Sequence, residues 1–578
     1  MAWNTTPLFF PALLPCQCHY TGYTFLSNAP HLYNSILVVL VVLLAGLLAT
    51  YSDQLGGFLA LANEFTVTAR QSIFPPTVTD SVRQIKCLGS YSSGVEYQSI
   101  FYAEAPSGKR RFVPPFPVKP AKGSVIDASH SGAWCPQGTG DVLPFTSRVV
   151  NISEDCLSLR VARPASIRND AKLPVVVWIH GDIVAFSLLQ GISLILYNPD
   201  GLVQQSVADG QPLIFFGFAS SKAMRAALKW VGDNIEDFVT VVGQSVGASD
   251  VSLQLHRLVE HKKFPFSTQF VRMMSGGQGL NFNTMLDLVA YISAIIPKQV
   301  GCATEDDAQS LGILECLREV PFHVLTNLSF TASREARPPF GEGFFSPTFD
   351  VNFIHGRPSQ LLRAVKFVKG TPVIASWMTN DGAWYVTPTT STDQEVLDSF
   401  GLWLFGLSNS TKKKLLQLYP VEGLERLVRE EYDDIWFTCP VLDFAWQYVK
   451  NEGADPSQVR LCERNSTKIH TRLRSPKTMS ATIARFVARG NPEGHSSGDL
   501  VKDFLEKLSL QIFGSPNGTV PVTVAAGLQN NAPAAVEEAV YWEKLFDRCK
   551  FIHTRPDEDR SGGLSLTRTF IYAILEKS

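Results

Sequence analysis

The sequence predicts an α/β protein with a mostly parallel central sheet that is covered by helices on both faces. Two apolar, β-branched runs at 173–181 and 371–377 are typical of strands buried on both faces. Segments 226–238 and 480–489 instead have the spacing of amphipathic helices. Strands that alternate with helices in this way favour a parallel sheet over an antiparallel one.

The junction of one strand and one helix is the most informative part of the chain. Gly243-Gln244-Ser245-Val246-Gly247 follows the apolar run 239–242 and precedes the helix-like segment 251–255. Small residues on both sides of Ser245 permit a sharp turn that exposes its hydroxyl at the carboxyl end of the strand. We therefore predict that Ser245 is a nucleophile. The alternative is an ordinary Gly/Ser turn.

Composition excludes several classes of function. The chain has 578 residues, of which 45% are hydrophobic and 18% charged, so it can bury a large core. Its net charge of −2 does not favour binding to nucleic acid. Neither Cys-x-x-Cys nor His-Glu-x-x-His occurs, so the sequence indicates no zinc site.

Ten cysteines and several glycosylation triplets favour the secretory pathway. The spacing would allow Cys135 to pair with Cys156, and Cys302 to pair with Cys316. Reduced, buried cysteines are the alternative. The six Asn-x-Ser/Thr triplets begin at Asn4, Asn151, Asn327, Asn409, Asn465 and Asn517.

The amino-terminal region lacks charged side chains before Asp53. Residues 36–49 are continuously apolar, and the uncharged segment of about 35–51 approaches the roughly 20 residues of a membrane span. We predict that residues 1–80 form a leader, a single-pass membrane segment and a linker, and that 81–578 form one domain. A cleaved signal peptide or a buried core helix are the alternatives for the apolar segment.

A series of motifs follows the order of one known family. These motifs are Tyr102-Ala103-Glu104-Ala105-Pro106, Arg111-Phe112-Val113-Pro114-Pro115, Cys135-Pro136-Gln137, Ser153-Glu154-Asp155-Cys156-Leu157, Val177-Trp178-Ile179-His180-Gly181, Leu415-Leu416-Gln417-Leu418-Tyr419-Pro420, Phe437-Thr438-Cys439-Pro440 and Gly490-Asn491-Pro492. With the Ser245 motif, they make residues 82–555 resemble the type-B carboxylesterases, which include cholinesterases and fungal lipases. The resemblance implies an α/β-hydrolase fold, a disulfide between Cys135 and Cys156, and hydrolysis of esters without cofactor or metal.

Ester hydrolysis in that family uses a serine, an acid and a histidine, in this chain order. The resemblance assigns Ser245 as the nucleophile and Asp381 as the acid. Asp381 stands directly before Gly382 in the segment 379–385, at a position where the family usually has glutamate. Asn-Asp-Gly is also an ordinary turn sequence, which is the alternative interpretation.

The histidine is assigned by its place in the chain. His470 precedes the helix that leads to Gly490-Asn491-Pro492, as the family's catalytic histidine does. His495 and His553 are less well placed, and the absence of any functional histidine is the remaining alternative. In the resemblance, His180 begins the oxyanion loop, and we interpret it as a structural residue rather than a proton carrier.

Departures from the family pattern surround the predicted oxyanion hole. The resemblance assigns its N–H donors to Gly181 and Val246. Asp182 stands where the family has a further glycine, and it places a carboxylate near the developing negative charge. Short deletions near 213–218 and 238–239 accompany this change. They indicate either a degenerate relative or an imperfect gene model.

Three hypotheses follow from these observations. The first is an active hydrolase of a small-molecule or lipid carboxylic ester. The second is a catalytically impaired, esterase-like binding or adhesion module at the membrane or outside the cell, and the third is a chain that does not fold. The sequence does not indicate an oligomeric state. Trp384 and Tyr385 are interpreted as core residues, with an acyl pocket as the alternative, and Lys412-Lys413-Lys414 as the solvated start of a helix.

Overall fold

The chain divides into two units, Met1–Phe74 and Pro75–Ser578, and every feature described below belongs to the second unit. The structure is a computed structural model. It describes residues 75–80, 84–137, 151–168, 171–181, 198–218, 221–234, 239–261, 268–277, 294–303, 310–336, 358–378, 381–386, 390–403, 408–419, 424–451, 459–464, 475–489, 509–515, 518–523, 545 and 547–552.

Strands within these residues form a small sheet and a large one. In chain order, β1 to β14 are Thr77–Asp80, Ile85–Leu88, Ser90–Ser92, Val95–Phe101, Val125–Asp127, Ser158–Pro164, Val175–Ile179, Ile214–Phe218, Val239–Gln244, Thr268–Met274, Val373–Met378, Val459–Arg464, Ser509–Ser515 and Gly518–Thr523. The small sheet has the order β1-β2-β5. The order of the large sheet, within the described part of the chain, is β14-β13-β12-β11-β10-β9-β7-β8-β6-β4-β3.

The large sheet is parallel from β8 through β7, β9, β10, β11 and β12 to β13. Its two edges are antiparallel, with β6, β4 and β3 at one side and β14 at the other. Strands β7, β9 and β10 lie in its middle, and the four residues 239–242 that begin β9 have no exposed surface. This burial on both faces explains why the central strands are continuously apolar rather than alternating.

Helices flank the large sheet. Among the described residues, α1 to α11 are Asp200–Ala208, Ser221–Asn234, Val246–His261, Leu311–Glu319, Phe322–Ala336, Pro358–Arg363, Asp393–Trp403, Asn409–Leu416, Leu424–Asp433, Cys439–Lys450 and Ser475–Arg489. A π-helical turn, Asp434–Thr438, joins α9 to α10, and 3₁₀ turns occur at Gly108–Arg110 and Asp381–Trp384. Two separate clusters of buried apolar side chains, one containing Val175 and Val177 and the other Val176, reflect the two covered faces of β7.

The predicted elements are close to the observed ones. The strand expected at 371–377 is β11, and the helix expected at 480–489 begins five residues earlier, as α11. The prediction for the lysine run was wrong at one residue. Lys413 and Lys414 are exposed on α8, but Lys412 is buried, because it lies near the buried carboxyl of Glu431.

Three disulfides are present in the described part of the chain. They join Cys135 to Cys156, Cys302 to Cys316, and Cys439 to Cys549, the last across 110 residues of sequence. The third pair was not anticipated, because Cys439 and Cys549 are too far apart in sequence for their spacing to suggest a loop.

Two ion pairs add further long-range links. Arg111 binds Glu154, which is partly exposed, through two hydrogen bonds of 2.7 and 2.9 Å. Arg548, near the carboxyl end of the described chain, donates to Asp434 in the π-helical turn at 2.6 Å, and both side chains are buried. The second pair is costly to break because the remaining charge stays buried.

Among the described residues, no helix is long and apolar enough to cross a membrane. The membrane segment predicted at about 35–51 lies outside the described residues.

Candidate active site

Ser245 occupies the turn between β9 and α3. Its φ angle is +55°, in the left-handed region that a residue with a β-carbon rarely adopts. The preceding strand ends at Gln244 and the helix begins at Val246, so the reversal of direction falls on the serine itself. A strained serine between a buried strand and a helix is the geometry that exposes a nucleophilic hydroxyl at the strand's carboxyl end.

Glycines make this turn sterically possible. A β-carbon on Gly181 would lie 2.6 Å from the β-carbon of Ser245, and one on Gly247 would overlap the carbonyl oxygen of Ile179. A β-carbon on Gly276 would likewise overlap the carbonyl oxygen of Ser245. The backbones after β7, β9 and β10 therefore meet at Ser245 more closely than larger residues allow.

Backbone hydrogen bonds fix the turn to its neighbours. The Ser245 N–H donates to the carbonyl oxygen of Met274, at the end of β10, with a distance of 2.8 Å. The Ser245 carbonyl oxygen accepts the N–H groups of Ala248 and Ser249, at 2.9 and 3.2 Å. The serine is thus held from one side by the sheet and from the other by the first turn of α3.

Ser275, the residue after Met274, connects the end of β10 to the neighbouring strand. It also has a positive φ, +49°, and its N–H donates to the carbonyl oxygen of Ser376 in β11 at 2.7 Å. Its hydroxyl donates to the carboxyl of Asp381. Ser275 was not predicted as a site residue, since a lone serine after an apolar run is too common to indicate one.

Asp381 begins the 3₁₀ turn that follows β11, at the same edge of the sheet as Ser245. Its Oδ2 atom accepts the Met378 N–H at 2.9 Å, in addition to the Ser275 hydroxyl. Burial raises the pKa of Asp381 to about 6, although both hydrogen bonds act in the opposite direction. This carboxyl is therefore ionised at neutral pH and becomes uncharged under mildly acidic conditions.

A second carboxyl lies beneath the same turn. Asp433, the last residue of α9, is buried, and its Oδ1 atom accepts the N–H of Gly382. A β-carbon on Gly382 would lie 2.9 Å from the carbonyl oxygen of Arg429, so a glycine is needed for this close approach. Asp433 is another residue that sequence reasoning missed, because it lies in a mostly acidic run, 430–434, that is typical of a solvated helix.

Tyr385 packs into the core beside this turn. Its ring stacks on that of Tyr432, with centroids 4.8 Å apart and an interplanar angle of 7°, and it also contacts Phe437. Only 8% of Tyr385 is exposed, which agrees with the core interpretation rather than with an acyl pocket. The side chain of Trp384 lies outside the described residues.

Gly181 lies two residues after the end of β7 and packs against Ser245, and Val246 is the first residue of α3. His180 is buried, with Nδ1 3.1 Å from the Gly181 carbonyl oxygen. The histidines assigned or considered as the base, at 470, 495 and 553, lie outside the described residues, as does Asp182.

The strained Ser245, the backbone of Gly181 that packs against it and the Asp381 carboxyl lie at the carboxyl ends of the parallel strands β7, β9, β10 and β11. Ligand sites of parallel α/β sheets form at this edge. In the described part of the chain, no group of three His, Cys, Asp or Glu side chains is arranged to hold a metal ion.

Comparison with known protein families agrees with this architecture. The model of the carboxylesterase family matches residues 88–208 and 216–455. The crystal structure of EstA from Aspergillus niger superposes with a TM-score of 0.63 at 17% sequence identity, and the match covers 82% of this chain and 99% of EstA. At that identity, the superposition is evidence for the fold alone.

Curated relatives include both active and inactive proteins by name. The inactive carboxylesterase-like protein VdtD of Byssochlamys spectabilis is 31% identical over 420 residues, which is 64% of this chain and 70% of VdtD. A secreted lipase of Arthroderma benhamiae is 28% identical over 431 residues, 68% of this chain and 74% of the lipase. The acetylcholinesterase of Bungarus fasciatus is 28% identical over 429 residues, 65% of this chain and 67% of the enzyme.

Proposed function

We propose that this chain, which belongs to the carboxylesterase family, hydrolyses carboxylic esters through an acyl-enzyme formed on Ser245. The observation that carries the proposal is the left-handed conformation of Ser245 between β9 and α3. Backbone strain of this kind costs on the order of 1–3 kcal/mol and persists where the surroundings enforce it, often at a reactive residue. The packing of Gly181, Gly247 and Gly276 around the serine is what enforces it here.

In the proposed reaction, the Ser245 oxygen attacks the acyl carbon while the histidine removes its proton. The same histidine then protonates the leaving alcohol, and a water molecule hydrolyses the acyl-enzyme and regenerates the serine. We assign His470 as this histidine and Asp381 as the acid that orients it. An ionised Asp381 stabilises the imidazolium that forms in both steps, so its pKa of about 6 sets the lower pH limit of activity.

Two backbone N–H groups are assigned to the oxyanion. Gly181 follows β7 and approaches Ser245, and Val246 follows the serine directly. The N–H of Val246 also belongs to the first turn of α3, where the helix dipole favours negative charge. Removing one such donor typically costs about 10²–10³ in rate.

The proposed substrate class and location are supported by the same comparison. Relatives named as lipases include secreted proteins of two fungi, which supports a lipid or small-molecule carboxylic ester and an extracellular site of action. The disulfides are consistent with an oxidising compartment. We retain residues 81–578 as one domain and the apolar segment near 35–51 as a single-pass anchor. Protease protection of a tagged amino terminus in membrane vesicles tests the anchor.

An esterase-like protein without catalytic activity is the second candidate. The observation that favours it is the similarity to VdtD, whose name describes an inactive protein. The aspartate at position 182, next to the proposed oxyanion donor Gly181, points in the same direction. Such a chain would keep the fold and bind a ligand or partner without turnover.

Hydrolysis of p-nitrophenyl butyrate by the full-length protein separates the two candidates. Ser245→Ala should reduce turnover by at least roughly a thousand-fold, because loss of the nucleophile removes the covalent route. Ser249→Ala is a matched control. Ser249 lies on α3, and its hydroxyl donates to the carbonyl oxygen of Gly277 and has no assigned chemical role. A folded wild-type protein whose turnover equals that of Ser245→Ala would favour the inactive alternative.

A further inference from the structure

The turn that carries Asp381 is held by one side chain from a different element. Gly382 follows Asp381 in the 3₁₀ turn, and its N–H donates to the Oδ1 atom of Asp433 at the end of α9. The absence of a β-carbon on Gly382 permits this contact, because that atom would lie 3.1 Å from Oδ1. We propose that Asp433 is a positioning residue for Asp381, and that it fixes the acid's turn through the Gly382 N–H. The inference rests on the proposed function.

Burial makes this a strong restraint rather than a surface contact. Asp433 is 7% exposed and Gly382 is buried, so neither group can exchange the hydrogen bond for one with water at low cost. Asp381 itself is fixed by the Met378 N–H and by the Ser275 hydroxyl. The Asp433 contact holds the next residue, which determines the direction in which the turn leaves β11.

Electrostatics indicate which charge state of Asp433 performs this role. Burial and the neighbouring charge of Asp381 raise the pKa of Asp433 well above its usual range, and Asp434 and Glu430 act in the same direction. The guanidinium of Arg548 is bonded to Asp434. Burial and these neighbouring charges therefore favour the uncharged form of Asp433 beside Asp381.

Asparagine has nearly the same shape as an uncharged aspartic acid and the same Oδ1 acceptor, so Asp433→Asn should preserve the turn. Alanine removes the acceptor and leaves the Gly382 N–H buried without it. Ionisation of the wild-type carboxyl at position 433 would place a second negative charge near Asp381, whereas asparagine cannot ionise.

The test compares Asp433→Asn and Asp433→Ala with wild type, in the full-length protein. Exposed Asp398, on α7, supplies the matched control Asp398→Asn. The readout is the second-order rate of labelling of Ser245 by a fluorophosphonate, measured from pH 5 to pH 10 on protein whose folding is verified by a cooperative melt. We expect Asp433→Asn to label within two-fold of wild type at pH 7, and Asp433→Ala to label at least ten-fold more slowly. We also expect the labelling profiles of wild type and Asp433→Asn to diverge as the pH rises, because only the wild-type carboxyl can ionise.

Equal labelling rates and identical pH profiles for all folded variants would overturn the inference. A double-mutant cycle keeps it testable even if the wild-type protein does not label. Unfolding of Asp381→Asn, Asp433→Ala and the double variant in urea should show non-additive changes in stability, because the two side chains hold one turn. Additive changes would remove the link between Asp433 and the acid's turn. Coupling without labelling would support the link and reject the proposed function instead.

Discussion

The N–H of Ser245 donates to the carbonyl oxygen of Met274 at 2.8 Å, and the residue after Met274 donates its hydroxyl to Asp381. Two consecutive residues at the end of β10 therefore hold both the proposed nucleophile and the proposed acid. Because β9, β10 and β11 are parallel neighbours, their carboxyl ends lie at one edge. The site depends on the register of these three strands more than on any single loop.

Gly181→Ala should inactivate the protein while leaving it folded. The new methyl group would lie 2.6 Å from the Ser245 β-carbon and 2.7 Å from the Gln244 carbonyl oxygen, so the serine turn must shift. A displaced nucleophile and a displaced oxyanion donor together should lower kcat/KM for p-nitrophenyl butyrate by roughly 100-fold or more. Gly201→Ala is the control, because a β-carbon there, in the first turn of α1, meets open space. Equal activity of both variants would contradict the proposed packing.

Asp381→Asn should stabilise the protein at neutral pH while abolishing its activity. The pKa of Asp381 is raised from 3.8 to about 6 in the folded state, so its ionisation disfavours the folded state. The wild-type protein should therefore lose stability, relative to Asp381→Asn, as the pH rises from about 4 to about 6. The difference in free energy of unfolding should reach about 3 kcal/mol above that range. Urea unfolding of both proteins at pH 4 and pH 7.5 measures this difference. The same difference between Asp381→Asn and wild type at both pH values would show that Asp381 is not buried as described.

Activity should fall as the pH decreases, whereas stability should rise. The proposed triad requires ionised Asp381, so kcat/KM for the wild-type protein should fall as the pH decreases through about 6. Asp381→Glu is informative because a longer carboxylate changes the depth of burial and should shift the acidic limb. A profile that is flat from pH 5 to pH 8 would contradict the assignment of Asp381.

The Cys439–Cys549 disulfide should contribute more to stability than the Cys302–Cys316 disulfide. The first closes a loop of 110 residues and the second a loop of 14. The loss of conformational freedom in the unfolded chain corresponds to about 4–5 kcal/mol for the longer loop and about 3 kcal/mol for the shorter one. Paired Cys→Ala variants, compared by urea unfolding, test this order. A larger loss for the Cys302–Cys316 pair would show that native-state effects dominate.

Breaking the buried pair of Arg548 and Asp434 should be severe. Arg548→Met leaves Asp434 buried without its partner, which is expected to cost about 3–5 kcal/mol. Replacing both residues, as Arg548→Met with Asp434→Leu, should recover much of that loss because no unpaired charge remains. Thermal unfolding of the three variants is the measurement. A double variant as unstable as Arg548→Met alone would indicate that the unpaired charge of Asp434 does not cause the loss of stability.

The sequence predicted the central sheet because its strands are buried on both faces. Continuous apolar runs around β7, β9 and β11, between helical segments, are typical of buried parallel strands. The turn at Ser245 was predicted from the preceding strand and the flanking glycines alone. The bonds of Ser275 and Asp433 could not be predicted in this way. Both residues act through contacts with segments more than 50 residues away, and their own local sequence does not reveal those contacts.

Long-range pairing was similarly beyond sequence reasoning. Cys439 was recognised as part of a motif, but its partner Cys549 is defined only by the folded path of the chain. Lys412 was expected in solvent because it belongs to a run of three lysines. Lys412 is buried near the carboxyl of Glu431 because of the way α8 packs. The lysine run itself does not reveal that packing.

Mass spectrometry of the fluorophosphonate adduct is the most direct test of the central claim. The full-length wild-type protein and Ser245→Ala, each with a cooperative melt, are treated with the same probe and digested. The proposed function predicts one phosphonyl adduct on the wild-type peptide that contains Ser245, and none on the variant. A folded wild-type protein without an adduct, or an adduct that persists in Ser245→Ala, would contradict an activated serine at the turn between β9 and α3.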